Sequence, residues 1–311
     1  MAVRHYLLKR LRRGLITLWL ATLAVFLLLH LTGNPLDFLA TPQIGPADLE
    51  RLKEHYGFNR PLYVQYVIFI TSVCRGDFGK SMRWAQRDAF EVYISRLPAT
   101  VLLVGTALVF SMMLGLVLGV VTAMQPGSTF DRLVKVLAIT GQSMPAFWLG
   151  LLFILLFTIT LGWLPSAGGP DRIGLKGLIM PAVSLGWALV AANTRLVRSS
   201  MLDALESDYI KMVRAKGMPR RVIIWKHALK NAALPIITLF AVNFALLLGG
   251  AVVTESIFAW PGIGRLLVES IFARDYTVVQ TVVFFSTTII VLVNVLVDLC
   301  YAWLDPRVRL E

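Results

Sequence analysis

Cysteine is nearly absent: Cys74 and Cys300 stand alone in 311 residues, so neither a disulfide framework nor a CxxC metal site is available. Histidine is as sparse, with four residues at positions 5, 30, 55 and 227. No motif-grade carboxylate pair and no nucleophile beside a base accompanies them, which leaves no catalytic constellation and reads as a non-enzyme without a metal site. Charge is also scarce, at 15% of residues, and acids number 18 against 30 lysines and arginines. Hydrophobic residues make up 57%, above the roughly 45–50% of soluble domains, and this excludes an ordinary soluble protein in favour of an all-α integral membrane protein. The net charge of +12 would suit nucleic acid if it were spread evenly. Its excess instead falls in segments that the topology below places on one side of the bilayer, so no nucleic-acid partner is expected.

Arg4, Lys9, Arg10, Arg12 and Arg13 precede an apolar run over residues 14–31, read as an uncleaved first span with its N-terminus inside. Residues 32–96 are mixed and turn-rich, the composition of a small extracytoplasmic subdomain, with a surface helix expected over 47–56. The apolar run Leu62–Cys74 is only about 20 Å of helix at roughly 1.5 Å per residue, too short for a core of roughly 30 Å. It is placed as a buried or interfacial helix, because counting it as a span would put the most basic loop outside. Further spans are expected over 97–124, with Gly115 and Gly119 as a close-approach pair, 133–161, kinked at Pro145, and 177–197. Two more follow over 234–255 and 277–303, making six spans within a core of 97–304, and the cytoplasmic tail is 305–311. Asp298, within the last span, is expected to pair with a neighbouring helix.

The longest polar interruption in the second half is residues 207–235, which overlaps a cytoplasmic pair of coupling helices expected over about 199–233. Two amphipathic helices are expected there. Leu202, Leu205, Tyr209 and Met212 would form one apolar face, and Val222, Trp225, Leu229 and Ala232 the other. Gly217 ends the first and Pro219 opens the second. Lys211, Arg214, Lys216, Arg220, Arg221, Lys226 and Lys230 make the outer surface strongly basic. Such a pair suits either anionic lipid headgroups or docking of a cytoplasmic partner. GDFGKS ends like a phosphate-binding loop, yet the position that needs a glycine is Cys74, so any ATP that drives this protein is bound by another chain.

The run DYIKMVRAKG followed by HALKNAALP resembles the cytoplasmic-loop motif of ABC importer permeases in the branch that carries peptides, nickel and glutathione. RPLYVQY with GDFGKS, the stretch EsIFaWPGIGrLL with Asp275 beyond it, and the DPR tail resemble the same branch, so the resemblance covers nearly the whole chain. It implies one half of a membrane channel in a bacterial inner membrane. A homologous second permease, two ATPase subunits holding ATP and magnesium, and an external solute-binding protein would complete it. By resemblance Tyr209, Arg214, Ala215, Lys216, Gly217, Arg220, Arg221, His227 and Asn231 belong to the ATPase-coupling element. Glu255, Trp260, Pro261, Gly262, Gly264 and Asp275 belong to the outer-loop motif. Asn243, Gly249 and Gly250 are candidates for the solute pathway, with helix packing as the alternative. The rival is a stand-alone secondary transporter, which would place ionisable residues near the midplane where this chain offers mainly Asn193, Asn243, Asn294 and Gln280. Short peptides are the expected solute, with glutathione, nickel and opine-like solutes left open.

Overall fold

The computed structural model describes residues 2–31, 51, 57, 59–169 and 173–304. Among these every extended element is helical. In order they are α1 (Ala2–Leu31), α2 (Leu62–Cys74), α3 (Ala89–Met124), α4 (Thr129–Ser143), α5 (Ala146–Phe153) and α6 (Lys176–Glu206). Then come α7 (Asp208–Ala215), α8 (Arg220–Val222), α9 (Leu229–Ile257), α10 (Ile263–Phe272) and α11 (Tyr276–Leu304). Two wide-turned π-helical segments, Ile154–Thr160 and Ile223–Ala228, continue α5 and α8. Four described helices are long and apolar enough to cross a membrane, and a fifth candidate is the bent pair Thr129–Ser143 and Ala146–Thr160. The surface helix expected over 47–56 and the DPR tail lie outside the described residues, as do the side chains of Asp298 and Cys300.

The chain divides into two compact units. Met1–Pro98 with Pro261–Leu292 forms one, and Ala99–Trp260 with Val293–Glu311 the other. In the first, α1 and α11 approach at Gly14, where a Cβ would stand 2.5 Å from Val291 Cγ1. The Tyr276 hydroxyl donates to the Leu29 carbonyl at 2.5 Å, and Leu29, Tyr276 and Val279 share a small buried cluster. Asp275 is wholly buried; it accepts from Ser81 Oγ at 2.5 Å and from the Arg83 N–H at 3.2 Å, tying the end of GDFGKS and the residues just after it to the start of α11. A buried carboxylate needs such donors, since leaving it unpaired is costly. Phe78 of the same loop packs among Phe90, Phe284 and Phe285.

α2 keeps its expected thirteen residues, but none of them is buried. The buried alternative for this helix therefore does not hold. α2 lies beside α1, with Tyr66 hydroxyl and Thr22 Oγ1 3.2 Å apart and Gln65 Oε1 and His30 Nε2 3.1 Å apart.

In the second unit α6 is the most enclosed candidate span, with 67% of its apolar window buried. Glycine makes that closeness possible. A Cβ on Gly115 would sit 2.5 Å from Asn193 Cβ, one on Gly119 2.9 Å from the Thr194 carbonyl, and one on Gly186 2.6 Å from the Ala107 carbonyl, so α3 and α6 meet backbone to backbone. The expected kink at Pro145 is instead a full break. α4 ends at Ser143, Pro145 caps α5, and the two halves are bent by 101°. The missing proline N–H and the extended Met144 account for the interruption. Pro181 and Pro235, by contrast, sit inside the continuous helices α6 and α9.

Candidate functional site

The basic interruption folds as a compact element between α6 and α9. The Ser207 side chain caps α7, accepting from the Ile210 N–H at 3.4 Å. Lys216 follows α7, and Gly217 adopts φ +75 while its N–H donates to the Arg214 carbonyl at 2.9 Å. That left-handed conformation is one a glycine reaches without steric cost. Pro219 then caps α8. The helices run beyond the limits of 199 and 233: residues 199–206 continue α6, and Leu229 onward is already α9.

The apolar faces match those the spacing predicts only in part: Ala232 is buried and Leu202, Leu205 and Leu229 pack against the buried cluster. Ile210 and Val213 are buried, whereas Tyr209 and Met212 are 44% and 53% exposed. The extended Ser207 resets the helical phase, so a face drawn through Leu202 and Leu205 cannot be carried into α7. In the second helix Ile223, Ile224 and Ala228 are buried and Trp225 is half exposed, because the π turns advance the chain by more residues per turn than an α-helix. Leu205, Ile210, Val213, Ile223 and Ile224 anchor the element to the ends of α3 and α6 in one apolar cluster.

The two halves are latched by a hydrogen bond of 2.7 Å between Tyr209 hydroxyl and His227 Nδ1. His227 Nε2 is buried without a partner among the described residues. Arg214 donates to the Leu205 carbonyl at 3.4 Å and Arg220 to the Met124 carbonyl at 3.1 Å, each carrying the element back onto the helix ends. Ala215, Lys216, Gly217, Arg221 and Asn231 are exposed, and a Cβ on Gly217 would meet nothing within 4 Å. Tyr209→Phe removes the latch while keeping the ring. A hydrogen bond contributes about 1 kcal/mol, so the variant is expected to fold and insert while its two halves open from one another more readily. Amide hydrogen exchange across residues 208–228 checks this, and unchanged exchange would show that the bond does not hold the halves together.

Asp131, in the first turn of α4 and ahead of the apolar run that begins at Leu133, was not singled out by the sequence. It is wholly buried and accepts from Arg198 Nε at 2.9 Å, Arg198 Nη2 at 3.1 Å, Lys135 Nζ at 2.8 Å and the Gly127 N–H at 2.9 Å. Burial pushes its carboxyl up, but the bonds from Lys135, Arg198 and Gly127 outweigh that and hold it well below the usual carboxylate range. Lys135 four residues on was a visible signal; Arg198, on α6, was not.

Glu255 and Trp260 are buried in the second unit, where Glu255 Oε1 accepts from Thr100 Oγ1 at 2.6 Å and Trp260 Nε1 donates to the Ala99 carbonyl at 2.8 Å. In the first unit Pro261 and Gly262 lead into α10, which carries Gly264, and Asp275 holds Ser81 as described above. Asn243 is buried and donates to Asn193 Oδ1 at 3.2 Å, while Asn193 donates to Ser111 Oγ at 3.4 Å, a polar ladder across α9, α6 and α3. Gly249 and Gly250 lie on α9, and their surroundings fall outside the described residues. Among the described residues no cluster of His, Cys, Asp or Glu could hold a metal ion.

Residues 115–310 match the family described as binding-protein-dependent transport system inner membrane component. The glutathione transport system permease protein GsiC of Salmonella typhimurium is 38% identical over 306 residues, covering 98% of this chain and 99% of that protein. Its Escherichia coli counterpart is 37% identical over the same length. Among solved structures, the MetNI methionine ABC transporter in inward-facing conformations aligns with a TM-score of 0.58 at 18% identity, over 70% of this chain and 97% of that one. An amino acid ABC transporter aligns with a TM-score of 0.54 at 14% identity, over 68% and 94%. At those identities the structural likeness speaks for the fold alone.

Proposed function

This chain belongs to the family of binding-protein-dependent transport system inner membrane components, and from that premise, as a membrane permease subunit of an ABC importer and not an enzyme, we propose that it carries a peptide-class solute across a bacterial inner membrane. The near full-length identity to glutathione permeases supports a short peptide or a peptide-like thiol such as glutathione as the solute. In this reading six spans cross the bilayer, both termini are cytoplasmic, and the region after α1 is extracytoplasmic. A second homologous permease completes the channel, two ATPase subunits bind ATP and magnesium, and an external binding protein delivers the solute.

The observation that carries the coupling part is the element from Ser207 to Asn231. It is joined directly to the long helices α6 and α9, anchored by buried Ile210, Val213, Ile223 and Ile224, and presents an exposed basic surface with an open glycine bend. Movement of an ATPase docked there would pass into both helices without an intervening loop. The pathway candidates Asn243, Gly249 and Gly250 all lie on α9, one of the two helices so driven.

Uptake tests the solute. Cells lacking their own glutathione and dipeptide importers, given this chain with its companion subunits, should accumulate labelled glutathione or a labelled dipeptide only while ATP is present and the binding protein is expressed. Accumulation driven by an ion gradient by the isolated chain in liposomes would favour the stand-alone secondary transporter instead.

A further inference from the structure

Beside the coupling element lies an open groove of about 790 Å3, bounded by the ends of α3 and α6, by α7 and by the start of α8 with its π-helical continuation. Three cations from separate stretches line it: Lys211 and Arg214 on α7, and Arg220 on α8. Glu206 also lines it and Lys211 Nζ is paired with Asp208 Oδ1 at 2.8 Å, so the groove's excess positive charge rests on Arg214 and Arg220. Arg214 and Arg220 each spend an N–H on a backbone carbonyl, which fixes the side chain while leaving the rest of the guanidinium fork as donors. The floor is apolar, with Leu202, Leu205 and Ile223 beneath the charges.

α7 therefore shows three faces. Ile210 and Val213 enter the core, Lys211 and Arg214 line the groove, and Met212 with Ala215 points away from the core. An ATPase docked on the last of these would leave the groove open to another occupant. Its walls include the ends of α3 and α6, two helices long and apolar enough to cross the membrane, and in the proposed topology those ends lie on the cytoplasmic side. Basic pockets between membrane helices on the cytoplasmic side bind anionic headgroups. We propose that this groove seats the phosphodiester headgroup of one anionic phospholipid of the cytoplasmic leaflet. The phosphate oxygens would meet Arg214 and Arg220, and the first methylenes of the chains would lie on Leu202 and Leu205. The inference rests on the proposed cytoplasmic placement of the coupling element.

The test uses the assembled permease and ATPase complex in phosphatidylcholine nanodiscs carrying a titrated fraction of phosphatidylglycerol. With a photoreactive benzoylphenylalanine in place of Met218, a groove residue that is 42% exposed, irradiation is expected to yield a phosphatidylglycerol adduct. In the complex without that probe, retained phosphatidylglycerol after purification should fall roughly 30-fold in apparent affinity for the pair Arg214→Gln and Arg220→Gln. Arg221→Gln, an exposed cation outside the groove, should cost less than about fivefold. A cross-link to an ATPase peptide, the absence of any lipid adduct, or equal losses from Arg221→Gln and the groove pair would overturn the proposal. ATPase co-purification and uptake are read on the same preparations. A complex that assembles and transports without a lipid in the groove rejects the lipid site alone, whereas a permease that never binds an ATPase rejects the coupling reading.

Discussion

Gly217→Trp should leave the protein inserted in the membrane and reduce solute uptake by more than tenfold. Two properties of the position combine in that expectation. Its φ of +75 strains any side-chain-bearing residue, at a cost of about 1 kcal/mol or somewhat more, which is too little to prevent insertion. Its missing Cβ faces open space, so a side chain leaving the backbone here meets nothing of this chain within 4 Å of its first carbon. A large loss of uptake must then come from outside the chain, from a partner surface held off by the new ring. Gly217→Asn separates the two properties, because asparagine enters the left-handed region readily yet still adds a side chain. Uptake, membrane content and ATPase co-purification measured on both variants decide the matter. Normal co-purification with normal uptake in the tryptophan variant would remove this bend from the docking surface, and a defect in tryptophan alone would assign the effect to bulk rather than conformation.

The second large effect is expected at the buried ion cluster. Arg198→Met strands the Asp131 carboxylate, which is wholly buried, with Lys135 and the Gly127 N–H as its remaining donors. Breaking a buried pair by deleting one member costs about 3–5 kcal/mol, and the surviving partners place this case near the lower end. The variant is expected to accumulate poorly and to lose its fold at a distinctly lower temperature in detergent. Asp131→Asn combined with Arg198→Met removes the stranded charge and should recover part of the loss. If the double variant melts no higher than Arg198→Met alone, the damage lies in lost arginine packing and the charge account is wrong. Acid sensitivity follows with a definite sign. Because the folded protein holds the Asp131 carboxyl below its ordinary value, its contribution is complete above about pH 4 and fades as pH falls further.

Features that depend on short-range rules were legible in the sequence. Gly115 and Gly119, a turn apart, predict a close helix contact, and α3 meets α6 there. Gly217 and Pro219 mark the bend because each residue type favours one backbone conformation. The length of Leu62–Cys74 alone separates it from the spanning helices. Phase was not legible across Ser207, where one extended residue rotates the apolar stripe from Tyr209 and Met212 onto Ile210 and Val213. Nor was long-range pairing. Arg198 reads as one more cation before a basic loop, yet its partner is 67 residues away, and Asn243 reads as a polar residue in a span while the fold gives it Asn193. Hydrophobic spacing carries no information about which helices become neighbours, so partners of this kind appear only once α4, α6 and α9 are packed. Pro145 shows the same limit from another side. The sequence predicts a bend there, but its size depends on what the two halves pack against.

The wide turns of Ile223–Ala228 bear on how this protein is compared with its relatives. A π-helical stretch is geometrically an α-helix that has taken in an extra residue, and shedding that residue returns the helix to ordinary winding. A relative one residue shorter at this point would keep α9 in place while rotating α8 relative to it by about one residue's turn, roughly 100°. Its histidine would then no longer face the tyrosine of the preceding helix. A single-position gap in an alignment here is thus a change of coupling geometry, although elsewhere in a loop it would pass as ordinary length variation.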